Sequence, residues 1–261
     1  MGKLLAITGK ELRSYFVSPV AYSVLTVFTT ITGIYFYVVI SNFYTRFRQF
    51  EVYSQIYRNP ELLAKVNLNE LVVAPLFQFL VIVLIFIVPA ITMRTVAEER
   101  KSGTDVLLYT SPLTTWHIIL GKFLGSFLFL AILLACTGIF LGVVFYYGNP
   151  ELGPVVLGWL GLLLIGTVLV AIGLFASSLT ENQINAYFIS FAIGLLLLIT
   201  GWAGQLLSSN MGKMLTYLSI NEHYKDLVRG LLTTQDLIYF GSFILFFLFL
   251  AKQALERAKW N

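Results

Sequence analysis

Charged residues are scarce in this sequence. Only 11% of its 261 residues are Asp, Glu, Lys or Arg, whereas 58% are hydrophobic. Soluble domains carry about 25% charged residues and about 45–50% apolar ones. So few charges could not cover the surface of a soluble protein, so the composition excludes a soluble enzyme, a disordered chain and a nucleic-acid-binding module. It indicates a polytopic membrane protein.

The residues and motifs that carry chemistry are scarce as well. The single cysteine, Cys136, has no partner for an intrachain disulfide, and the two histidines, His117 and His223, fall on opposite predicted sides of the membrane. Neither His-Glu-x-x-His nor Cys-x-x-Cys occurs, so no metal site is expected. The phosphate loop of nucleotide-binding proteins and the nucleophile elbow of hydrolases are also missing. We therefore expect no catalytic residue and no cofactor in this chain.

Six apolar runs are long enough, or nearly so, to cross a bilayer core of about 30 Å, which takes about 20 helical residues. They cover residues 19–40, 71–91, 118–147, 155–177, 184–205 and 237–251. The third run is longer than needed and is expected to tilt or to project into the cytoplasm. The runs hold essentially no ionisable side chain away from their ends, which disfavours an ion-coupled carrier. The predicted fold is all-α, a single domain over residues 1–261 with six transmembrane helices.

The distribution of Lys and Arg predicts that both termini face the cytoplasm. With that orientation ten of the 17 basic residues lie inside and seven outside, and the dense group at 94–101 lies inside. Basic residues close to the ends of spans orient a membrane protein most strongly. The chain is therefore predicted to cross the inner (plasma) membrane several times, in contact with anionic lipid headgroups.

Residues 3–17 precede the first span and have the pattern of an amphipathic helix. Five apolar residues share one face: Leu4, Leu5, Leu12, Tyr15 and Phe16. Lys3, Lys10 and Arg13 lie opposite them, as in a helix that lies in the plane of the headgroups. The segment is either a generic interfacial anchor or an elbow helix that also contacts a cytoplasmic partner.

The predicted first cytoplasmic loop, residues 92–116, carries the most information. Residues 94–101 should continue the second span as a helix, with Arg94, Glu98 and Lys101 close enough to pair. Gly103 should end that helix in the left-handed conformation. Thr104 could then cap a short helix over 105–109, which exposes Val106, Leu107 and Leu108. Those three residues either dock in the groove of a partner or pack on the inner end of the bundle.

The predicted outer segments also contain amphipathic stretches. In the first, Phe43, Phe47, Phe50 and Tyr57 recur at helical spacing and predict a helix against the outer membrane face. In the last, over residues 206–235, Asn221 could cap a helix whose apolar stripe would cover the outer mouth of the bundle as a lid. That stripe comprises Tyr224, Leu227, Val228, Leu231 and Leu232. Glu222 and His223 are interpreted as the solvated start of this helix.

Two Gly-x-x-x-Gly motifs lie in the third span. They comprise Gly121 with Gly125, and Gly138 with Gly142. Such motifs permit two helices to approach closely, and they fit either packing within the chain or the seam of a dimer.

With these segments in view, the chain resembles permease subunits of the ABC-2 class of ATP-binding-cassette transporters. The resemblance covers almost the whole chain and lies in three segments: Gly9-Lys-Glu-Leu-Arg-Ser-Tyr-Phe-Val-Ser-Pro19; Met93-Arg-x-x-x-Glu-Glu-Arg-x-Ser-Gly-Thr104 with Leu107-Leu108-x-x-Ser-Pro112 and Gly121-Lys122; and Ser178-Leu-Thr-Glu-Asn-Gln183. Two further stretches, Asn221-Glu-His-Tyr-x-x-x-x-x-Gly230 and Asp236-Leu-Ile-Tyr-Phe240, resemble the branch named for its gliding-motility permease.

The resemblance implies a permease, with an exporter as the leading expectation, that contains no ATPase of its own. It implies two permease chains working with two ATPase subunits, which would hold the ATP and Mg. The family's elbow would fall at residues 10–16, which include Lys10, Glu11 and Arg13, and its short outer helices at 211–232. Its coupling helix would fall at 98–109, where the matching residues are Glu98, Glu99, Arg100, Gly103 and Thr104.

Two features of the function stay open at this point. The same loop would serve a subunit that anchors an ATPase to a surface or motility machine without moving a solute. A periplasmic-type accessory membrane protein is a further candidate partner for that branch. The apolar and aromatic spans suit a lipid-like or amphipathic cargo, but surfaces that face lipid have the same composition.

Overall fold

The computed structural model describes residues 2–58, 66–103, 114–207 and 210–258, and these form helices joined by short connections. Helix α1 (Gly2–Val17) precedes α2 (Pro19–Tyr57), and a π-helical turn (Asn69–Val73) opens α3 (Ala74–Thr92). The remaining helices are α4 (Ala97–Lys101), α5 (Thr115–Ala135), α6 (Gly138–Tyr147), α7 (Leu152–Leu179), α8 (Gln183–Leu206), α9 (Asn210–Tyr217), α10 (Ile220–Val228) and α11 (Thr234–Ala258). No strand occurs among the described residues.

Six helical segments are long and apolar enough to cross a membrane, which confirms the predicted number. They are Pro19–Tyr57, Asn69–Lys101, Thr115–Tyr147, Leu152–Leu179, Gln183–Leu206 and Thr234–Arg257. Each contains one of the predicted apolar runs. The all-α fold is therefore as the sequence predicts, whereas several helix ends differ.

Helix α7 forms the centre of the bundle. Its apolar segment is 67% buried, against 17% for that of α2, and it packs against α3, α5, α8, α10 and α11. Small residues allow these close approaches: a Cβ at Gly161 would lie 2.7 Å from the ring of Tyr224, and one at Gly166 would lie 2.6 Å from Leu130. Since α2 is the most peripheral span, most of its apolar surface is left to lipid or to another chain.

The first span is much longer than its apolar run. Helix α2 has 39 residues, which is about 58 Å at 1.5 Å per residue and roughly twice the thickness of the bilayer core. The separate amphipathic helix predicted around Phe43–Tyr57 was therefore wrong, because this stretch continues α2. No Gly or Pro interrupts residues 41–57, and the helix ends where Arg58 takes a left-handed conformation with φ 48°.

The third span is long because it contains a break. Helices α5 and α6 are separated by Cys136 and Thr137, and the Thr137 hydroxyl donates to the carbonyl of Leu134 at 2.6 Å. The indole of Trp159 donates to the same carbonyl at 3.3 Å. A side chain that bonds into the helical ladder is a recognised cause of a helix break, and these two bonds lie at the break between α5 and α6.

Candidate functional site

Helix α1 packs lengthwise along the first half of α5. Ile7 lies against Gly121 and Glu11 against Gly125, and the ring of Tyr15 stacks on Phe129 with centroids 4.9 Å apart. These contacts recur every four residues on both helices, so α1 and α5 lie side by side for about two turns. Helix α1 is therefore held by the protein as well as by any lipid.

The first Gly-x-x-x-Gly motif makes this packing possible. A Cβ at Gly121 would lie 2.6 Å from Ile7 Cγ2, and one at Gly125 would lie 2.7 Å from Glu11 Cβ. The motif therefore serves packing within the chain. Gly138 and Gly142 have no such neighbour within 4 Å in the part of the chain that the structure describes, so their faces stay open.

Four charged side chains meet where α1, α4 and α5 converge. We call Lys10, Glu11, Glu99 and Lys122 the charged junction. Lys122 is only 3% exposed, and its Nζ lies 2.8 Å from Glu99 Oε2 and 3.4 Å from Glu11 Oε2. The same ammonium donates to the carbonyl of Thr95, while Lys10 Nζ lies 3.3 Å from Glu99 Oε1. One buried cation thus joins helices that are far apart in the sequence.

The two carboxylates of the junction differ in their surroundings. Burial raises the pKa of the Glu11 carboxyl above its usual range, and the nearby Glu99 raises that pKa further, while Lys122 opposes both effects. Glu99 lies closer to Lys122 and also pairs with the exposed Lys10. Glu99 is therefore the main counter-ion of Lys122, and Glu11 is the costlier charge to keep ionised.

A serine at the end of α7 braces the segment between α3 and α4. The Ser177 hydroxyl accepts hydrogen bonds from the backbone N–H groups of Val96 and Ala97, both at 3.0 Å. It donates to the carbonyl of Met93, also at 3.0 Å. Arg100 adds a second link, because its Nη1 donates to the carbonyl of Ser178 at 2.9 Å. The end of the central helix therefore fixes the first turn of α4.

The expected continuous helix over residues 94–101 was wrong. The chain leaves the helix after Thr92 and resumes it at Ala97, and Ser177 occupies the resulting gap. The predicted pairing was also wrong, because no ion pair joins Arg94, Glu98 and Lys101 to one another among the described residues. Residues 98–100 instead have three different surroundings: Glu98 is exposed, Glu99 enters the junction and Arg100 reaches α7.

The comparisons with known proteins agree with this architecture. The family described as "ABC-2 family transporter protein" matches residues 5–256, nearly the whole chain. The chain belongs to the ABC-2 transporter family. With six apolar helices, this member of the family is a multi-pass membrane protein.

Two curated relatives are similar to part of this ABC-2 family member. Both carry the name "Probable multidrug ABC transporter permease YbhR" and come from two strains of Escherichia coli. Each is 31% identical over 143 residues, which is 53% of this chain and 38% of the relative. The match thus spans well under half the length of those relatives.

The predicted coupling residues of this ABC-2 protein are only partly within the described structure. Gly103 has φ +67°, the left-handed conformation expected there. Thr104, Val106, Leu107 and Leu108 lie outside the described residues. In the N-terminal segment, Lys10 and Glu11 enter the charged junction, whereas Arg13 is exposed.

Helix α10 lies at the other end of α7 from the junction. Tyr224 is buried, and its hydroxyl donates to the carbonyl of Gly158 at 3.2 Å. Leu227 is also buried, whereas Leu231 lies beyond the end of the helix and is 58% exposed. Asn221 does not cap this helix; Ser219 does, by accepting from the N–H of Asn221 at 3.3 Å.

The interpretation of His223 as part of a solvated helix start was wrong. His223 is buried, with Nδ1 2.8 Å from Asp236 Oδ1 and Nε2 3.0 Å from the carbonyl oxygen of Tyr217. The Thr233 hydroxyl donates to the other oxygen of Asp236 at 2.6 Å. We call His223, Thr233 and Asp236 the α10 cluster.

Sequence reasoning did not identify Lys122 or Ser177 as site residues. The sequence did contain a signal for Lys122. It is a lone cation within an apolar run, and Glu11 is the only carboxylate in residues 2–17. An ion buried without a partner is costly, so each residue predicted a partner of opposite charge. No comparable signal marks Ser177, because serines are ordinary residues near helix ends.

Proposed function

We propose that the chain is the membrane-spanning permease subunit of an ATP-driven transporter, and that the charged junction transmits movement from a separate ATPase subunit into the bundle. The observation that carries this proposal is the convergence of α1, α4 and α5 on the buried Lys122. Exposed residues of the 97–103 segment, Glu98 above all, would contact the ATPase. Glu99 would pass their displacement to α1 and to the third span.

The brace from α7 supports the same proposal. Ser177 and Arg100 tie α4 to the central helix, so α4 cannot move without pulling on the bundle. Buried contacts of this kind change between discrete arrangements instead of deforming smoothly. Closure of two ATPase subunits on bound ATP and Mg would therefore alter the opening between the two membrane faces.

The finer parts of the assignment rest on the sequence. We propose that both termini and the junction face the cytoplasm and that the protein lies in the inner (plasma) membrane. We also propose a second permease chain and transport in the export direction. Thr104, Val106, Leu107 and Leu108 would dock on the ATPase, and α10 would act as an outer lid. Membership of the gliding-motility branch, with its accessory membrane protein, rests on the resemblance alone.

The direct test is ATPase stimulation in a reconstituted complex. Glu98→Lys reverses an exposed charge and should leave the bundle intact. We expect ATPase stimulation to fall about three- to fivefold, the scale of one exposed ion pair of up to about 1 kcal/mol. Glu151→Lys makes the same change at an exposed residue of the opposite end and should match the wild type.

Two results would contradict the proposal. The first is equal stimulation by the Glu98→Lys and Glu151→Lys proteins. The second is an ATPase that binds the wild-type chain but whose rate does not respond to it, which would favour the non-transporting anchor.

A further inference from the structure

A cavity of about 620 Å³ lies beside the charged junction, between α1, the start of α2, the α3–α4 segment and α5. One wall is apolar and is formed by Ala21, Val24, Ile91 and Phe129. The rest of the lining includes charged residues of α1, the α3–α4 segment and α5. The cavity lies where Ser18 leads the chain from α1 into the first span. An amphipathic molecule would match both parts of the lining.

Arg94 is the cation of this cavity that makes no ion pair with the residues that the structure describes. Its Nε is buried and has no hydrogen-bond partner among the described residues. Lys122 is already held by Glu11 and Glu99, and Lys10 is held by Glu99. A buried donor without a partner is unfavourable and rare in native structures. Arg94, which also lines the cavity, is therefore the group that an acceptor from outside the chain would satisfy.

A phosphate diester is the acceptor that fits best. A guanidinium presents a planar set of donors that matches phosphate oxygens with two parallel hydrogen bonds. The apolar wall next to it provides a surface for an acyl chain. Both features occur together in a phospholipid whose phosphate lies at headgroup depth.

The charges of the cavity favour a zwitterionic headgroup. Its lining holds three cations, Lys10, Arg94 and Lys122, and three carboxylates, Glu11, Glu98 and Glu99. Because there is no excess of positive charge, a ligand with several negative charges would be poorly matched. A zwitterionic headgroup, which carries one phosphate and one ammonium, matches this balance.

We propose that this cavity binds one zwitterionic phospholipid, with the phosphate on Arg94 and an acyl chain along Ala21, Val24 and Ile91. With the proposed orientation, the lipid comes from the cytoplasmic leaflet. It braces α1 and α2 against the α3–α4 segment. The lipid is a resident component, and its binding does not depend on an ATPase.

The test measures the lipid that remains on the purified full chain. The wild type, extracted from membranes of known composition in mild detergent, should retain about one phospholipid per chain by native mass spectrometry, enriched in phosphatidylethanolamine over phosphatidylglycerol. Arg94→Gln should lower this occupancy on the order of tenfold, the scale of a charge-assisted bidentate contact. The control Arg13→Gln removes an exposed cation outside the cavity and should retain lipid like the wild type.

A second variant separates lost binding from lost folding. Ala90→Leu narrows the cavity without changing its charge and should also lower occupancy, while the melting temperature stays near that of the wild type. Equal retention by the wild type and the Arg94→Gln protein would overturn the proposal, as would a preference for phosphatidylglycerol. Binding of inorganic phosphate that displaces the lipid at millimolar concentration would assign the site to free phosphate and would likewise overturn it.

Discussion

The charged junction and the α10 cluster are both buried and polar, but they differ in how far apart their residues lie in the sequence. The α10 cluster, with the contact of His223 to the carbonyl of Tyr217, lies within residues 217 to 236. It therefore stabilises one local part of the fold. The junction joins Glu11, Glu99 and Lys122, and the first and the last of these are 111 positions apart in the sequence. A local cluster stabilises its own segment, whereas a junction between distant segments makes them move together. This difference is why we place the coupling function at the junction.

Removal of the central cation should have the largest effect. Lys122→Met leaves the buried Glu11 and the partly buried Glu99 without their shared partner, and breaking a buried pair costs about 3–5 kcal/mol. The free energy of unfolding, measured in lipid bicelles, should fall by that amount. Lys10→Met is the matched control, because Lys10 is 69% exposed and exposed pairs contribute about 0–1 kcal/mol. Equal losses of unfolding free energy in the two variants would show that the burial of Lys122 does not make it more important for stability than Lys10.

Disruption of the α10 cluster should have a smaller and more local effect. His223→Ala removes the imidazole from Asp236 Oδ1 and from the carbonyl of Tyr217, and a buried polar group that loses its partner costs about 1–3 kcal/mol. Hydrogen exchange should rise within residues 217–236 and stay unchanged in α1 and α4. His117→Ala is the control, since His117 contacts Thr114 in its own first turn. Increased exchange in α1 would contradict the distinction between the two regions.

The smallest effect concerns the ionisation of Glu11. Its folded-state pKa is raised, so its contribution to stability is fully present below its unfolded pKa, near 4.5, and is lost as pH rises through the folded pKa. The stability advantage of the wild type over Glu11→Gln should therefore shrink as the pH rises above 4.5. Unfolding in bicelles across that range measures the difference. A stability advantage that grows with pH would contradict a raised pKa for Glu11.

The spans were predictable because a helix needs about 20 apolar residues to cross the bilayer core, and runs of that length are visible in the sequence. Helix ends were less predictable: residues 41–57 of α2 are polar enough to resemble a separate element, and only the unbroken backbone through them shows otherwise. The cap of α10 was misplaced by two residues because Ser219 and Asn221 are both suitable caps. The cavity and the junction depend on contacts between residues that are distant in sequence, which no local pattern encodes.

The central claim is that the Glu99–Lys122 pair carries movement from the ATPase into the bundle. A double-mutant cycle of Glu99→Gln and Lys122→Gln on ATPase stimulation, normalised to folded complex, tests it most directly. If the pair acts as one unit, each single variant lowers ATPase stimulation. The double variant then lowers it no further than the more damaging single variant does. If the two losses multiply, or if neither variant changes stimulation, the junction does not transmit the movement.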